Sequence, residues 1–317
     1  MTTTGIYTGI DISKATLEVA TCAGRLIEVS NTSAGHVRLL ERLRAHSIAC
    51  VVIESTGIYG RELVRSLHAA GYAVAVVQPG RVRHFALSRN LLAKTDRLDA
   101  VMIARFGAEV KPRLWEMPRA PVERLRAIND RRSQVIDDRV REENRLEACR
   151  DERIAKDLRA SIKRLTKAEE KLNRETAALI AADADMATMS AALQEESGVG
   201  PQTSAVLLSQ LPELGKVNRQ QISALAGVAP YNHSSGPKDS RRRIFGGKAQ
   251  VRRALYMAAV SGARWNTYLK EFYQRLVAQG KDKKLALIAC ARKLIVRLNT
   301  IAATALAKRA PQNTVTA

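Results

Sequence analysis

A mixed α/β region followed by an all-helical one is the fold class the sequence predicts, and three observations predict it. Short β-rich runs at Gly5 to Ile12, Thr16 to Thr21 and Arg25 to Ser30 are separated by polar or glycine breaks, the pattern of an antiparallel meander. Two apolar runs, Ala49 to Ile53 and Ala73 to Val77, each follow a helical segment, and such alternation reads as parallel strands buried on both faces. Beyond Pro121 neither Gly nor Pro occurs until after Ile180, as a long helix or helix pair requires.

Taken in order, the meander is followed by a helical segment at His36 to Arg44, the first apolar run ending at Glu54, a helix from Tyr59 to Ala70, and the second apolar run ending before Gln78 and Pro79. Helices are expected from Pro79 to Ser88 and from Thr95 to Ala108. A meander feeding β-α-β units matches the ribonuclease H-like arrangement. Pro112 and Pro118 bracket a break. Leu158, Leu165, Leu172 and Leu179 then recur every seven residues, with Ile154 and Ile162 beside them, which predicts a coiled coil; an intramolecular helical hairpin is the alternative. From Ala181 the pattern is helical, interrupted at Ser197 to Pro201 and at Ser234 to Lys248, and Leu287, Leu294, Leu298 and Ile301 share one apolar face near the end. Three regions follow: 1–112 as the α/β domain, 113–182 as the coiled-coil helical region, and 183–317 as a mostly α-helical domain.

The 317 residues hold 52 Lys and Arg against 31 Asp and Glu, a formal charge of +21. More than half of that excess lies beyond residue 180, so the last third should attract polyanions. No run approaches the roughly 20 apolar residues of a spanning helix, and the N-terminus lacks the features of a secretory leader; the expectation is a soluble, cytoplasmic, nucleoid-associated protein with no membrane partner. Cys22, Cys50, Cys149 and Cys290 lie far apart without metal-binding or disulfide spacing, so any metal would be held by oxygen.

Oxygen donors are available. Asp11 stands at the end of the first strand, in GIDISK, and Glu54 at the end of a later one, in VVIEST. Asp96 and Asp99, in KTDRLDA, are three apart and hence on one helix face. Singly, each is more often a bland charge than a catalytic one, Asp96 and Asp99 pairing with Lys94, Arg97 or Arg105. As a set at strand end, strand end and helix face, they predict a hard-cation site. Mg²⁺ takes such oxygen ligands and organises phosphoryl transfer.

In the basic third, Gly198 and Gly200 in SGVGP precede an apolar helix, a form that can offer free backbone N–H groups to a phosphate or serve only as a helix-helix turn. Lys238, Arg241, Arg242, Arg243, Lys248, Arg252 and Arg253 crowd one window against Asp239 alone, with Gly246 and Gly247 among them. Aromatic residues make up 4% of the chain, so backbone recognition of duplex or structured nucleic acid fits better than base stacking. Ser234 and Ser235 lie just upstream; on residue chemistry alone they read as turn or capping serines.

The motifs GIDISK, ESTGIYG, AKTDRLDA, GVGPQTSA, AGVAPYNHSSG and GGKAQVRRALYMAA, in that order and spacing, resemble those of the insertion-sequence one-ten transposases. That family carries a DEDD motif and is also called the bridge-RNA-guided recombinases. The resemblance spans nearly the whole chain and is nearest the subgroup named after insertion sequence eleven-eleven. It implies a RuvC-like domain of ribonuclease H fold, a coiled coil and a helical transposase domain. It implies further that Asp11, Glu54, Asp96 and Asp99 bind Mg²⁺ and that Ser235, in the family's Ser-Gly pair beside Ser234, attacks DNA to leave a phosphoserine. The implied partners are donor and target DNA, a noncoding bridge RNA that pairs with both, and further copies of the chain in a dimer to tetramer, one subunit's acidic site completing another's serine site. The competing readings are a RuvC-like nuclease or nucleic-acid-binding protein with an inert serine and an actin-like small-molecule kinase, the latter lacking a phosphate-loop glycine pattern.

Overall fold

A computed structural model describes residues 5–55, 57, 59–90, 96–231 and 243–309, with the side chains of 96–98 and 309 outside the description. The chain divides into two compact units, Met1–Met117 and Pro118–Ala317.

The first unit opens with the meander: β1 (Ile6–Ile12), β2 (Thr16–Thr21) and β3 (Gly24–Ser30). There follow α1 (Ser33–Arg44), β4 (Ile48–Glu54), α2 (Arg61–Ala69), β5 (Val74–Val77), α3 (Pro79–Ser88) and α4 (Asp96–Val110). Helix α1 starts three residues before the apolar pattern does, because the Thr32 hydroxyl accepts the Gly35 N–H and caps it. The strands form one five-stranded sheet, ordered β3-β2-β1-β4-β5. β1 is antiparallel to β2 and parallel to β4, and β4 is parallel to β5. Its two faces carry separate cores. Ile10, Ile12, Val51 and Ile53 pack with Leu39 and Leu43 of α1 and Leu63 and Leu67 of α2. Cys50, Val52, Ala75 and Val77 pack with Val82 of α3 and with Ile103 and Phe106 of α4.

Two glycines seat α4. A Cβ on Gly9 would stand 2.2 Å from the Ala100 carbonyl oxygen and 2.4 Å from the Ala104 nitrogen, and one on Gly107 would stand 2.4 Å from Val52 Cγ2 and 3.0 Å from Tyr7 Cδ1. Helix backbone therefore lies directly on β1, and it runs against the strand, with Gly107 over Tyr7 and Ala100 over Gly9.

The second unit is built from α5 (Ala120–Ala148), α6 (Glu152–Ala182), α7 (Ala184–Gln194), α8 (Pro201–Gln210), α9 (Arg219–Leu225), α10 (Ala249–Trp265), α11 (Thr267–Ala278) and α12 (Lys283–Arg309). A two-stranded ladder, β6 (Pro230–Tyr231) with β7 (Arg243–Ile244), interrupts the helices. The glycine-free stretch is a pair, α5 and α6, broken at Cys149 to Asp151, where the Asp151 carboxylate accepts the Arg153 and Ile154 N–H groups. The two helices pack antiparallel within the chain: Arg132 donates to Asn173 at 2.6 Å and pairs with Glu169 at 3.0 Å, and Arg119 pairs with Asp183 and Asp185 across the open ends. Leu158, Leu165, Leu172 and Leu179 are half-buried, and Ile154 is exposed. In α12 the buried line is Ala286, Cys290, Leu294, Leu298 and Ala302. Leu287 and Ile301, placed on that face by sequence, are its half-buried flanks. No helix among the described residues is long and apolar enough to cross a membrane.

Candidate active site

The register of the parallel pair sets Ile10 beside Ile53, so the next residues, Asp11 and Glu54, leave the sheet side by side. Alternation decides their face. Ile10, Ile12 and Ile53 belong to the core under α1 and α2, whereas Tyr7, Cys50 and Val52 belong to the core under α3 and α4; Asp11 and Glu54 share the parity of the second set. Helix α4 covers that same face. With Ala100 over Gly9 and the helix running against the strand, its first turn, from Asp96 through Asp99, lies toward the Asp11 end. One corner of the first unit thus gathers Asp11, Glu54 and Asp99, each partly buried, together with the helical start at Asp96, whose side chain lies outside the described residues. The Asp11 carboxylate already accepts the Ile12 N–H at 3.0 Å.

Among the described residues no three His, Cys, Asp or Glu side chains come close enough together to hold a metal ion. The donor chemistry nevertheless fits one kind of ion. Every candidate ligand is a carboxylate oxygen, the donor that a hard divalent cation takes.

A contact that no sequence pattern announces ties the two loops of this corner together. Asn31 Nδ2 donates to the Ser13 carbonyl oxygen at 2.9 Å and to the Tyr59 carbonyl oxygen at 3.1 Å, and Asn31 Oδ1 meets His36 Nε2 at 3.0 Å. His36 is 5% exposed; burial holds its imidazole below the ordinary pKa, with Glu62 pulling the other way.

In the second unit the glycine hairpin is held from behind. Gly198 has φ +101°, and a Cβ there would stand 2.8 Å from the Ala258 carbonyl oxygen and 2.9 Å from the Gly262 nitrogen, so the turn lies on α10. Buried Glu196 accepts from Asn266 Nδ2 at 2.6 Å and from Arg297 Nε, and Asn266 also donates to the Ser197 carbonyl oxygen at 3.2 Å. Gly200 stands exposed at the N-cap of α8 with no side-chain cap.

Much of the described part of the basic window is engaged within the fold. Lys248 Nζ donates to the Gln210 carbonyl oxygen and lies 3.7 Å from Glu213. Arg252 donates to the Gly246 carbonyl oxygen at 2.8 Å, and Arg253 pairs with Asp137 at 3.0 Å. Gly247, at φ +66°, packs against the Gly227 backbone, which a Cβ would meet at 2.2 Å. Arg243 is exposed and pairs through its backbone with Tyr231, so the residues flanking 232–242 are ladder partners. Ser234, Ser235, Lys238, Arg241 and Arg242 lie outside the described residues.

Two transposase family models match the chain. One, described as a transposase and named for the DEDD motif and IS110, takes in residues 8–154; the other, the transposase IS116/IS110/IS902 family, takes in residues 190–274. The chain belongs to the IS110 transposase family. The first match contains Asp11, Glu54, Asp96 and Asp99, and the second contains the glycine hairpin, both serines and the basic window. This transposase is also 28% identical, over 91% of its length and 93% of theirs, to the pilin gene-inverting proteins of Moraxella bovis and Moraxella lacunata. It is 27% identical, over 78% of its length, to a putative transposase of Sinorhizobium fredii, of which 76% is covered. It is therefore an enzyme of DNA transposition and recombination, acting on DNA, and membership of a DEDD-named family suggests a divalent metal ion.

Proposed function

We propose that this transposase breaks and rejoins DNA strands through Ser235, assisted by a Mg²⁺ site of Asp11, Glu54, Asp96 and Asp99 on a RuvC-like first unit. The observation that carries the proposal is the convergence of Asp11, Glu54 and the first turn of α4 on one face and one end of the sheet, within a stretch matched to the DEDD-named family. A bound divalent cation would balance the charge of these carboxylates and stabilise the charge that develops on the scissile phosphate.

The residues of the chain do the rest. The Ser235 hydroxyl loses its proton and forms an Oγ–P bond as one backbone P–O bond breaks; the displaced sugar oxygen takes up a proton. Attack by a sugar hydroxyl of another strand end reverses these changes and frees the serine. The bond energy is thus kept in the phosphoserine, which suits both insertion and the inversion for which the Moraxella relatives are named. Exposed cations of the basic window, Arg243 among them, draw in donor and target DNA and a noncoding bridge RNA that pairs with both. The serine and the carboxylates belong to different units, so a working centre needs both, and we propose that it is shared across subunits of a dimer or tetramer.

Ser235→Ala tests the chemistry. The variant is expected to bind DNA and RNA as before, while losing recombination and the SDS-resistant protein-DNA adduct. Loss of the adduct in Ser234→Ala instead would move the nucleophile by one residue. Strand cleavage without an adduct in either variant would favour a RuvC-like nuclease.

A further inference from the structure

We infer that Asn31 is a positioning residue of the carboxylate corner: its amide, oriented by His36, holds the loop after Asp11 and the loop after Glu54 in fixed relation. The inference rests on the proposed role of that corner in strand cleavage. Asn31 is the first residue beyond β3, whose last paired residue, Ser30, lies opposite Thr16. Its side chain adds nothing to the sheet ladder. It reaches over the β1–β2 turn to a loop that follows β4, a strand three positions from β3 in the sheet.

The chemistry fixes the orientation of the amide. Both acceptors, Ser13 O and Tyr59 O, are carbonyl oxygens, and only the NH₂ end of the amide can face them. Oδ1 must then face His36, so Nε2 of that ring carries the hydrogen. The Asn31 backbone N–H also donates to Ala15 O at 2.8 Å, which holds the first loop a second time. His36 is itself anchored in α1, where its N–H donates to Thr32 O at 2.8 Å. The path therefore runs from a packed helix through a buried ring to one amide that grips both loops. Ser13 is two residues past Asp11 and Tyr59 is five past Glu54; the ladder holds both carboxylate-bearing residues on their far side, and the Asn31 brace fixes the chain where it leaves the sheet beside them. Displacements near 1 Å can cost on the order of 100-fold in rate.

The test uses the full-length chain, with Mn²⁺ alone as probe in calorimetry, strand cleavage by the reconstituted complex against metal concentration, and thermal melting. Asn31→Ala is expected to weaken Mn²⁺ binding about tenfold and to raise the metal needed for half-maximal cleavage by a similar factor, with melting shifted by only a few degrees. His36→Gln, whose amide N–H can replace Nε2–H, should stay near the unmodified protein, and His36→Leu should follow Asn31→Ala. Unchanged Mn²⁺ affinity and metal demand in Asn31→Ala would overturn the inference, as would losses that only follow the unfolded fraction. His36→Gln as impaired as His36→Leu would remove the histidine from the brace. If the unmodified protein binds no Mn²⁺ and cleaves in EDTA, it is the metal reading that fails; Asn31 is then judged by whether folded Asn31→Ala cleaves more slowly, and full-rate cleavage would end its role.

Discussion

In the first unit the strand ends that carry Asp11 and Glu54 and the first turn of α4 lie at one end and on one face of the sheet. In the second, several of the charged residues marked by their density hold the fold together. Lys248 closes on the end of α8, Arg252 on the glycine turn and Arg253 on α5. The difference has a physical root. A carboxylate at a strand end stands where the ladder stops, whereas a long cationic side chain near a helix start finds carbonyls and carboxylates within reach.

The largest expected effect tests the corner. Asp11→Ala or Asp99→Ala should lower strand cleavage by at least about 1,000-fold while melting is retained. Cleavage that survives in either variant, or in EDTA, would place the carboxylates among ordinary surface charges and remove the contrast between the units.

Next in size is a pair of glycine substitutions. Gly9→Ala drives a methyl into the backbone of α4 and should cost about 3 kcal/mol, enough to lower the melting temperature of the first unit by several degrees. Gly246→Ala meets nothing within 4 Å and suffers only its φ of +68°, so about 1 kcal/mol is expected. Equal losses would show that α4 is not held on β1 as tightly as its packing requires.

The basic window should then split by role. Replacing Arg242 and Arg243 with Glu should flatten the salt dependence of duplex DNA binding by about 0.9 in log–log slope for each phosphate that the protein no longer neutralises. Lys248→Ala should leave the slope alone and lower stability by about 1 kcal/mol. A slope change for Lys248→Ala and none for the arginines would reverse the assignment.

The smallest effect is in pH. Because burial lowers the folded-state pKa of His36 below its ordinary 6.5, the unfolded chain takes up the proton first as pH falls. The stability that neutral His36 contributes is therefore complete above about pH 6.5 and is lost progressively below it. Urea midpoints at pH 7.5 and 5.5 should draw closer together in His36→Gln; an unchanged difference would assign the acid sensitivity to other groups.

The sequence by itself determined which segments become strands and helices, because apolar periodicity, caps and breakers act over a few residues. The meander, the two apolar strands and the helices around them stand within a few residues of where those patterns put them. Even the break between α5 and α6 was written locally, in Asp151, although a search for Gly and Pro passes over it. The four candidate carboxylates could be picked out for the same reason, each standing at or near an element's end. What depended on contacts between distant residues was decided only by the tertiary structure. That α4 lies on β1 rests on missing side chains at Gly9 and Gly107, whose partners are nearly a hundred and more than fifty residues away in sequence. That the leucine-bearing helix packs on α5 rests on pairs such as Arg132 with Asn173 and Glu169, where a heptad pattern only asks for an apolar partner. The engagement of Lys248 and Arg253, and the bridge that Asn31 makes between Ser13 and Tyr59, arise the same way: a side chain's hydrogen-bond partner is chosen by whatever the folded chain brings within about 3 Å, and no local pattern encodes that choice.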